Sequence, residues 1–385
     1  MLFRICSLLP KSVSVATVVS AMCVAGLCTF TSSAQEGHFP QELKWAFNSK
    51  VNLVGYTDVE GMRKTEFAKA VQQMKQDVDS ENMPFSIKNK GIQQEQLKKL
   101  REKLDLTKED FASFGFVMNL TDIDLPKGGS KDSPEEVLSN ILSVIGLTKS
   151  IDPRKAATVL KEQAKEAEED ISVEHRKYEK FSVLVSQKGQ GPSVWFAFVN
   201  DNKDIVAGEK NRGQTVLDRK RHGKKAQKKL PEALTKSLTS ITESNQIGVA
   251  LVPTDKMRNL CRSKARNSDS NKGQGKPTQL SGATWKALSN MKHLTFGSEV
   301  AETADVQLNI KLASRADADQ IEQFLRNSVL STIRLMGSRL LPEPLPLLNT
   351  LEAAKPNEDE VECSFSLSER DLQIMKKTAE QRPQQ

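Results

Sequence analysis

The sequence predicts an α+β protein made of two related modules of antiparallel sheet packed with helices. Three observations predict it. Strand-like alternation and helix-like periodicity interchange irregularly along the chain, unlike the repeating strand–helix–strand of a parallel sheet. The two halves open alike: Pro40-Gln41-Glu42-Leu43 precedes a strand, Asp58 and Met62-Arg63, while Pro231-Glu232-Ala233-Leu234 precedes a strand, Asp255 and Met257-Arg258. A basic stretch, Lys203–Lys229, lies between the halves. The expected division is a secretory signal at 1–34, a first module at 35–202, a basic linker or surface segment at 203–229 and a second module at 230–385. An internal duplication explains the likeness of the halves. So does chance pairing within an α+β chain, because the spacing from proline to acidic cap differs between them.

The N-terminal segment differs from the rest. Arg4 and Lys11 supply positive charge, Val13–Phe30 is an uncharged, mostly apolar run, and Ser32-Ser33-Ala34 precedes Gln35. This is the charge, apolar core and small-residue cleavage site of a secretory signal. An uncleaved anchor is the competing reading, since the run is just long enough to span a bilayer. A lipid anchor needs a small residue before its cysteine, and Leu27 stands before Cys28. Cleavage predicts export to the periplasm, cell envelope or exterior, with no transmembrane span left. It also removes Cys6, Cys23 and Cys28, leaving Cys261 and Cys363. These two form a disulfide, which export permits, or sit apart as buried thiols; both readings stay open.

In the first module, Pro40–Asn48 reads as a short helix and Lys50–Tyr56 as a strand. A helix after Asp58 carries Met62, Phe67, Val71 and Met74. Gly91–Leu104 reads as a charged helix and Phe111–Leu120 as a strand. Ser133-Pro134-Glu135-Glu136 is a helix start, and Val137, Leu138, Ile141, Leu142 and Ile145 follow at helical spacing. Asp152-Pro153 opens a helix with Ala156, Leu160, Ala164, Ala167 and Ile171 in one narrow row. Phe181–Ser186, Ser193–Val199 and Asp204–Gly208 read as strands joined by polar turns.

In the second module, Pro231–Glu243 reads as a helix and Gln246–Val252 as a strand. A short helix capped by Thr254 or Asp255 follows, then a polar loop at Arg262–Pro277. His293–Val300 and Ala304–Leu312 read as adjacent antiparallel strands. Ser314-Arg315-Ala316-Asp317 caps a helix that turns Ile321, Phe324, Leu325, Leu330 and Ile333 inward. The prolines of Leu341–Pro346 break regular structure. Glu358–Leu367 is a last alternating strand, and Ser368-Glu369-Arg370-Asp371 caps a final helix.

Two stretches, Val194–Asp218 (VWFAFVNDNKDIVAGEKNRGQTVLD) and Leu294–Leu330 with AETADVQLNIKLASRADADQIEQFL at its heart, carry a resemblance. In them the chain resembles a class of exported proteins of planctomycete-like bacteria with no assigned function. The resemblance implies export and a β-hairpin with a polar turn leading into a helix, repeated in the second half. It transfers no catalytic or binding residue to this chain.

Catalytic motifs are missing. His38, His175, His222 and His293 join no H-E-x-x-H or zinc-ligand spacing, so neither metal nor cofactor is expected. There is no G-x-S-x-G nucleophile elbow. Gly189-Gln190-Gly191 and Gly273-Gln274-Gly275 read as turns. Asp122 with Asp124, and Asp201 with Asp204, lack the ordered spacing of a calcium loop.

The compositional anomaly is charge. The chain carries 56 Lys+Arg against 49 Asp+Glu, a formal +7. Lys203–Lys229 alone holds ten basic and three acidic residues, so the rest of the chain is neutral as a whole. Arg219, Lys220, Arg221, Lys224, Lys225, Lys228 and Lys229 are the expected ligand-binding residues for an anionic partner. Nucleic acid is not expected, since no aromatic residue interleaves with them. Nor is an inserting amphipathic helix, because the stretch lacks an apolar face of helical period. The expected function is that of an exported cell-envelope protein with a structural or binding role. The alternatives are salt-sensitive binding of an anionic envelope polymer or lipid headgroup through this segment, and a hydrolase whose carboxylates the sequence does not identify.

Overall fold

The computed structural model describes residues 40–77, 99–121, 140–166, 170–188, 193–242, 245–270, 280–331, 334 and 346–380. The expected signal, the Ser133–Glu136 start, both Gly-Gln-Gly turns, Asp122 and Asp124, and Leu341–Leu345 lie outside them. The fold is α+β, with helices packed on antiparallel sheet, and the chain divides into two compact units. One takes the described residues of 38–60 and 87–231, the other those of 61–86 and 232–385.

The first unit begins with a 3-10 helix, Gln41–Ala46, and strand β1, Leu53–Asp58. The helix after Asp58 is broken in two. Val59–Met62 is α1, and Glu66–Asp77 is α2, which belongs to the second unit and packs there against its C-terminal helix. Thr65 makes the break: its hydroxyl donates to Met62 O and accepts from Ala68 N–H, capping α2.

Strands β2 (Phe111–Met118) and β3 (Ile141–Leu147) follow, then helix α3 (Pro153–Glu166), opened by Asp152 accepting from Arg154 N–H. Next come β4 (Ile171–Tyr178), β5 (Phe181–Lys188), β6 (Val194–Val199), β7 (Asp204–Glu209) and helix α4 (Lys210–His222). The sheet order is β1-β2-β3-β7-β6-β5-β4. Ile141, Leu142 and Ile145, expected on a helix, thus belong to a central strand. Their apolar run has both faces buried between β2 and β7, which a strand achieves and a surface helix does not. Ile171, expected to end the α3 row, opens β4. On one sheet face, Ala156, Ala157 and Leu160 of α3 pack with Leu184 and Phe198.

The second unit adds α5 (Glu232–Thr242), β8 (Ile247–Leu251), α6 (Asp255–Ser270), α7 (Gly282–Ser289), β9 (His293–Val300) and β10 (Ala304–Lys311). Helix α8 (Arg315–Phe324) runs into a π-helical turn, Leu325–Leu330, and the short α9 (Leu347–Thr350), β11 (Glu352–Asn357), β12 (Glu360–Leu367) and α10 (Glu369–Glu380) complete it. The strand order here is β11-β12-β10-β9-β8. The polar stretch from Arg262, expected as a loop, continues α6 to Ser270, because its small and charged residues tolerate a solvated helix. Both expected caps form: Ser314 accepts from Asp317 N–H, and Ser368 and Asp371 exchange side-chain to backbone bonds.

Candidate functional site

The basic segment is largely folded. β7 pairs with both β3 and β6, and α4 follows without a break. Glu209 caps α4 by accepting from Asn211 N–H at 3.0 Å and Arg212 N–H at 3.4 Å. The buried face expected to be absent is made by Gly213, Val216 and Leu217. Gly213 faces Trp195, whose Cβ would make ordinary contact, at 3.5 Å, with an added methyl group. The last turn, Arg219 to His222, places cations at the negative end of the helix dipole, and Gly223, at φ 73°, ends it.

Three of the seven expected ligand residues bond to other groups of the protein, Arg219 and Lys220 largely out of water and Arg221 at the surface. Arg219 donates to Trp45 O at 3.0 Å and Phe47 O at 2.9 Å, satisfying carbonyls that leave the Gln41–Ala46 helix, and burial pushes its pKa down. Lys220 reaches Glu42 Oε2 at 2.6 Å and Asn200 Oδ1 at 2.7 Å. Arg221 pairs with Glu179 at 3.0 Å in the β4–β5 turn. Asn200, Asp201 and Asn202 turn β6 into β7 with φ of 50°, 54° and 62°, a left-handed run that Asn and Asp tolerate best after glycine. Asn200 Nδ2 donates both to Glu42, at 2.5 Å, and to Asp204. Burial raises the Asp204 pKa, helped by Glu42 and opposed by Asn200, Lys220 and Lys203.

The other four are free. Lys224 and Lys225 lie on a 3-10 turn, and Lys228 and Lys229 follow in a stretch that ends at buried Leu230. All four are exposed, and no described group pairs with any of them. A cation tied up elsewhere cannot serve a ligand without breaking its own bonds, whereas these can at once.

The second unit has a shallow groove of about 260 Å³ between β9, β10 and β12. Glu299 and Asp305 face each other there in register, with Gln307, Glu362, Ser364 and Ser366 alongside. Asp305 accepts from the Ser366 hydroxyl. Its polar lining is carboxylates, hydroxyls and amides, with no histidine, lysine or cysteine among them. Cys261 on α6 and Cys363 on β12 are free thiols, not a disulfide. Both are half-buried, which raises their pKa values. Asp201 and Asp204 are held by turn and sheet geometry. Among the described residues, no group of three or more His, Cys, Asp or Glu could hold a metal ion. His293 is half-buried with a lowered pKa from desolvation, and His222 is exposed. The Nε2 of His175 is buried on β4 without a partner.

Among the described residues no helix is long and apolar enough to cross a membrane. No protein-family model matches the chain. A search by sequence returns no match among curated proteins. One solved structure, crystal form I of TP0453, aligns with a TM-score of 0.33 and 8% identity, over 87% of this chain and 96% of that one. A likeness at that level carries no functional argument.

Proposed function

We propose that the protein is exported and acts in the cell envelope through binding or structural contact rather than catalysis. The observation that carries the binding role is the set of four exposed lysines, Lys224, Lys225, Lys228 and Lys229, at the end of a folded helix, which pair with no other group among the described residues. Four neighbouring like charges repel one another, and an anionic envelope component relieves that repulsion. The signal-like Arg4–Gln35 segment supports export. Fractionation of the producing cells with N-terminal sequencing tests it: the expected result is an envelope or periplasmic protein beginning at Gln35. A cytosolic protein that retains Met1 contradicts it.

An origin by internal duplication belongs to the same proposal, and element order supports it. In each unit the first three strands pair in succession and the last strand pairs with the third: β1-β2-β3-β7 and β8-β9-β10-β12. A helix follows the third strand, α3 or α8, and another follows the last, α4 or α10. The β4–β5 hairpin is extra to the first unit. Superposing these equivalent strands tests the idea; helices that fall on opposite sheet faces would refute it.

A further inference from the structure

We infer that the anion bound by the basic segment is a linear polyanion laid along Lys224–Lys229, and not a single small anion or a bilayer surface. The inference rests on the anion-binding reading above and narrows it.

A small anion such as phosphate needs converging donors that are partly withdrawn from water. The first unit has such donors, but they are occupied. Arg219 serves two backbone carbonyls, and Arg212 serves Asn140 through its backbone O at 2.9 Å and Oδ1 at 2.8 Å. The four free lysines offer no pocket.

They follow one another closely along the chain. Lys224 and Lys225 sit on one turn, Gln227 is extended (φ −62°, ψ 135°), and Lys228 and Lys229 come next. The backbone from Lys225 to Lys228 spans at most about 10 Å at ~3.3 Å per extended residue. That is close to the ~8 Å screening length at physiological salt, so one flexible chain of anionic groups feels both pairs together. The Arg221–Glu179 pair also sets the β4–β5 turn, which carries exposed Lys180, beside the end of α4.

A bilayer would be met by a surface that offers it nothing apolar. In 219–230 the apolar side chains are Ala226, half-buried, and Leu230, buried. Charge alone contributes only weak adhesion to a membrane, and firm attachment needs a second, inserting group.

The test measures binding of three probes to the mature chain over a series of salt concentrations: long-chain polyphosphate, inorganic phosphate and vesicles containing phosphatidylglycerol. The polymer is expected to bind, at least tenfold tighter than either other probe at equal phosphate, with an affinity that falls steeply with salt. The variant K224Q/K225Q/K228Q/K229Q is expected to lose at least tenfold in polymer affinity. Circular dichroism checks its fold, which the exposed positions should preserve. Preferential binding of vesicles or inorganic phosphate would overturn the polymer inference while leaving the anion reading standing. Binding of no probe would overturn both. Unchanged polymer binding by the variant would overturn the assignment to these lysines.

Discussion

Lys220 and Glu42, 178 positions apart in the chain, form a 2.6 Å ion pair in which the two side chains are only 18% and 12% exposed. The pair ties the last turn of α4 to the first described helix, and Arg219 ties the same two elements one residue earlier. What reads in the sequence as one undivided basic run is therefore two functions in series: a clasp at Arg219–Arg221 and a free track at Lys224–Lys229.

Breaking the clasp should weaken the fold. Glu42→Gln leaves Lys220 partly buried without its counter-charge and is expected to cost about 1–2 kcal/mol, less than for a fully buried pair because water still reaches this one. Urea unfolding of Glu42→Gln, Lys220→Gln and the double variant measures it. The double variant should cost less than the sum of the singles; strict additivity would mean that the pair contributes nothing.

The same cluster gives a pH dependence with a definite sign. The folded-state pKa of Asp204 lies above its ordinary value, mainly through burial and with Glu42 adding to it. Between the two values the folded state holds more protons than the unfolded one. This contribution therefore stabilises as pH falls through that window and is lost as pH rises through it. Glu42, Lys220, Lys203 and Asn200 are the groups that face this carboxyl. Asp204→Asn should remove this component from the stability profile in the pH range just above the ordinary carboxylate value. An unchanged profile would locate the titration elsewhere.

Gly55 and Phe116 oppose each other in register on β1 and β2, and the Phe116 ring occupies the place of a Gly55 methyl group. Gly55→Ala should cost about 1–3 kcal/mol, the range for forcing a methyl group into a filled core. Adding Phe116→Leu should recover part of that loss in the same unfolding assay, because it vacates the contested space.

Cys261 and Cys363 should both be alkylated in the mature chain without reduction, as mass spectrometry after denaturation will report. In the native protein their reaction should be several-fold slower than that of an exposed cysteine. Burial raises both pKa values, with Glu362 adding to the effect at Cys363, so less thiolate is present. A mass two units lower before reduction would mean a disulfide.

Much of the fold is legible locally. Apolar runs mark β2 and β6, alternation marks β9, β10 and β12, and the Ser314 and Ser368 caps announce α8 and α10, because those signals depend on neighbours in sequence. The hairpin-then-helix arrangement expected at Val194–Asp218 and Leu294–Leu330 is present as β6–β7–α4 and β9–β10–α8. Ile141–Leu147 reads as helix in the sequence and is a strand in the structure for a physical reason: a short apolar run satisfies helical spacing and a doubly buried strand equally well. β4 was missed because its edge position exposes Glu174, Arg176 and Lys177, which hides the alternation. The sequence marked the basic run but could not divide it, because the partners that occupy Arg219 and Lys220 lie at Glu42, Trp45 and Phe47. Nor did any local signal place α2 with the second unit.

Two variants measured side by side test the division of the basic run most directly, each for unfolding free energy and for salt-dependent binding of polyphosphate. Lys220→Gln should lower stability by about 1 kcal/mol and leave the salt slope of binding unchanged. K224Q/K225Q/K228Q/K229Q should hold stability within about 0.5 kcal/mol and abolish the slope. The reverse pattern, with binding lost in the first variant and stability lost in the second, would contradict the account.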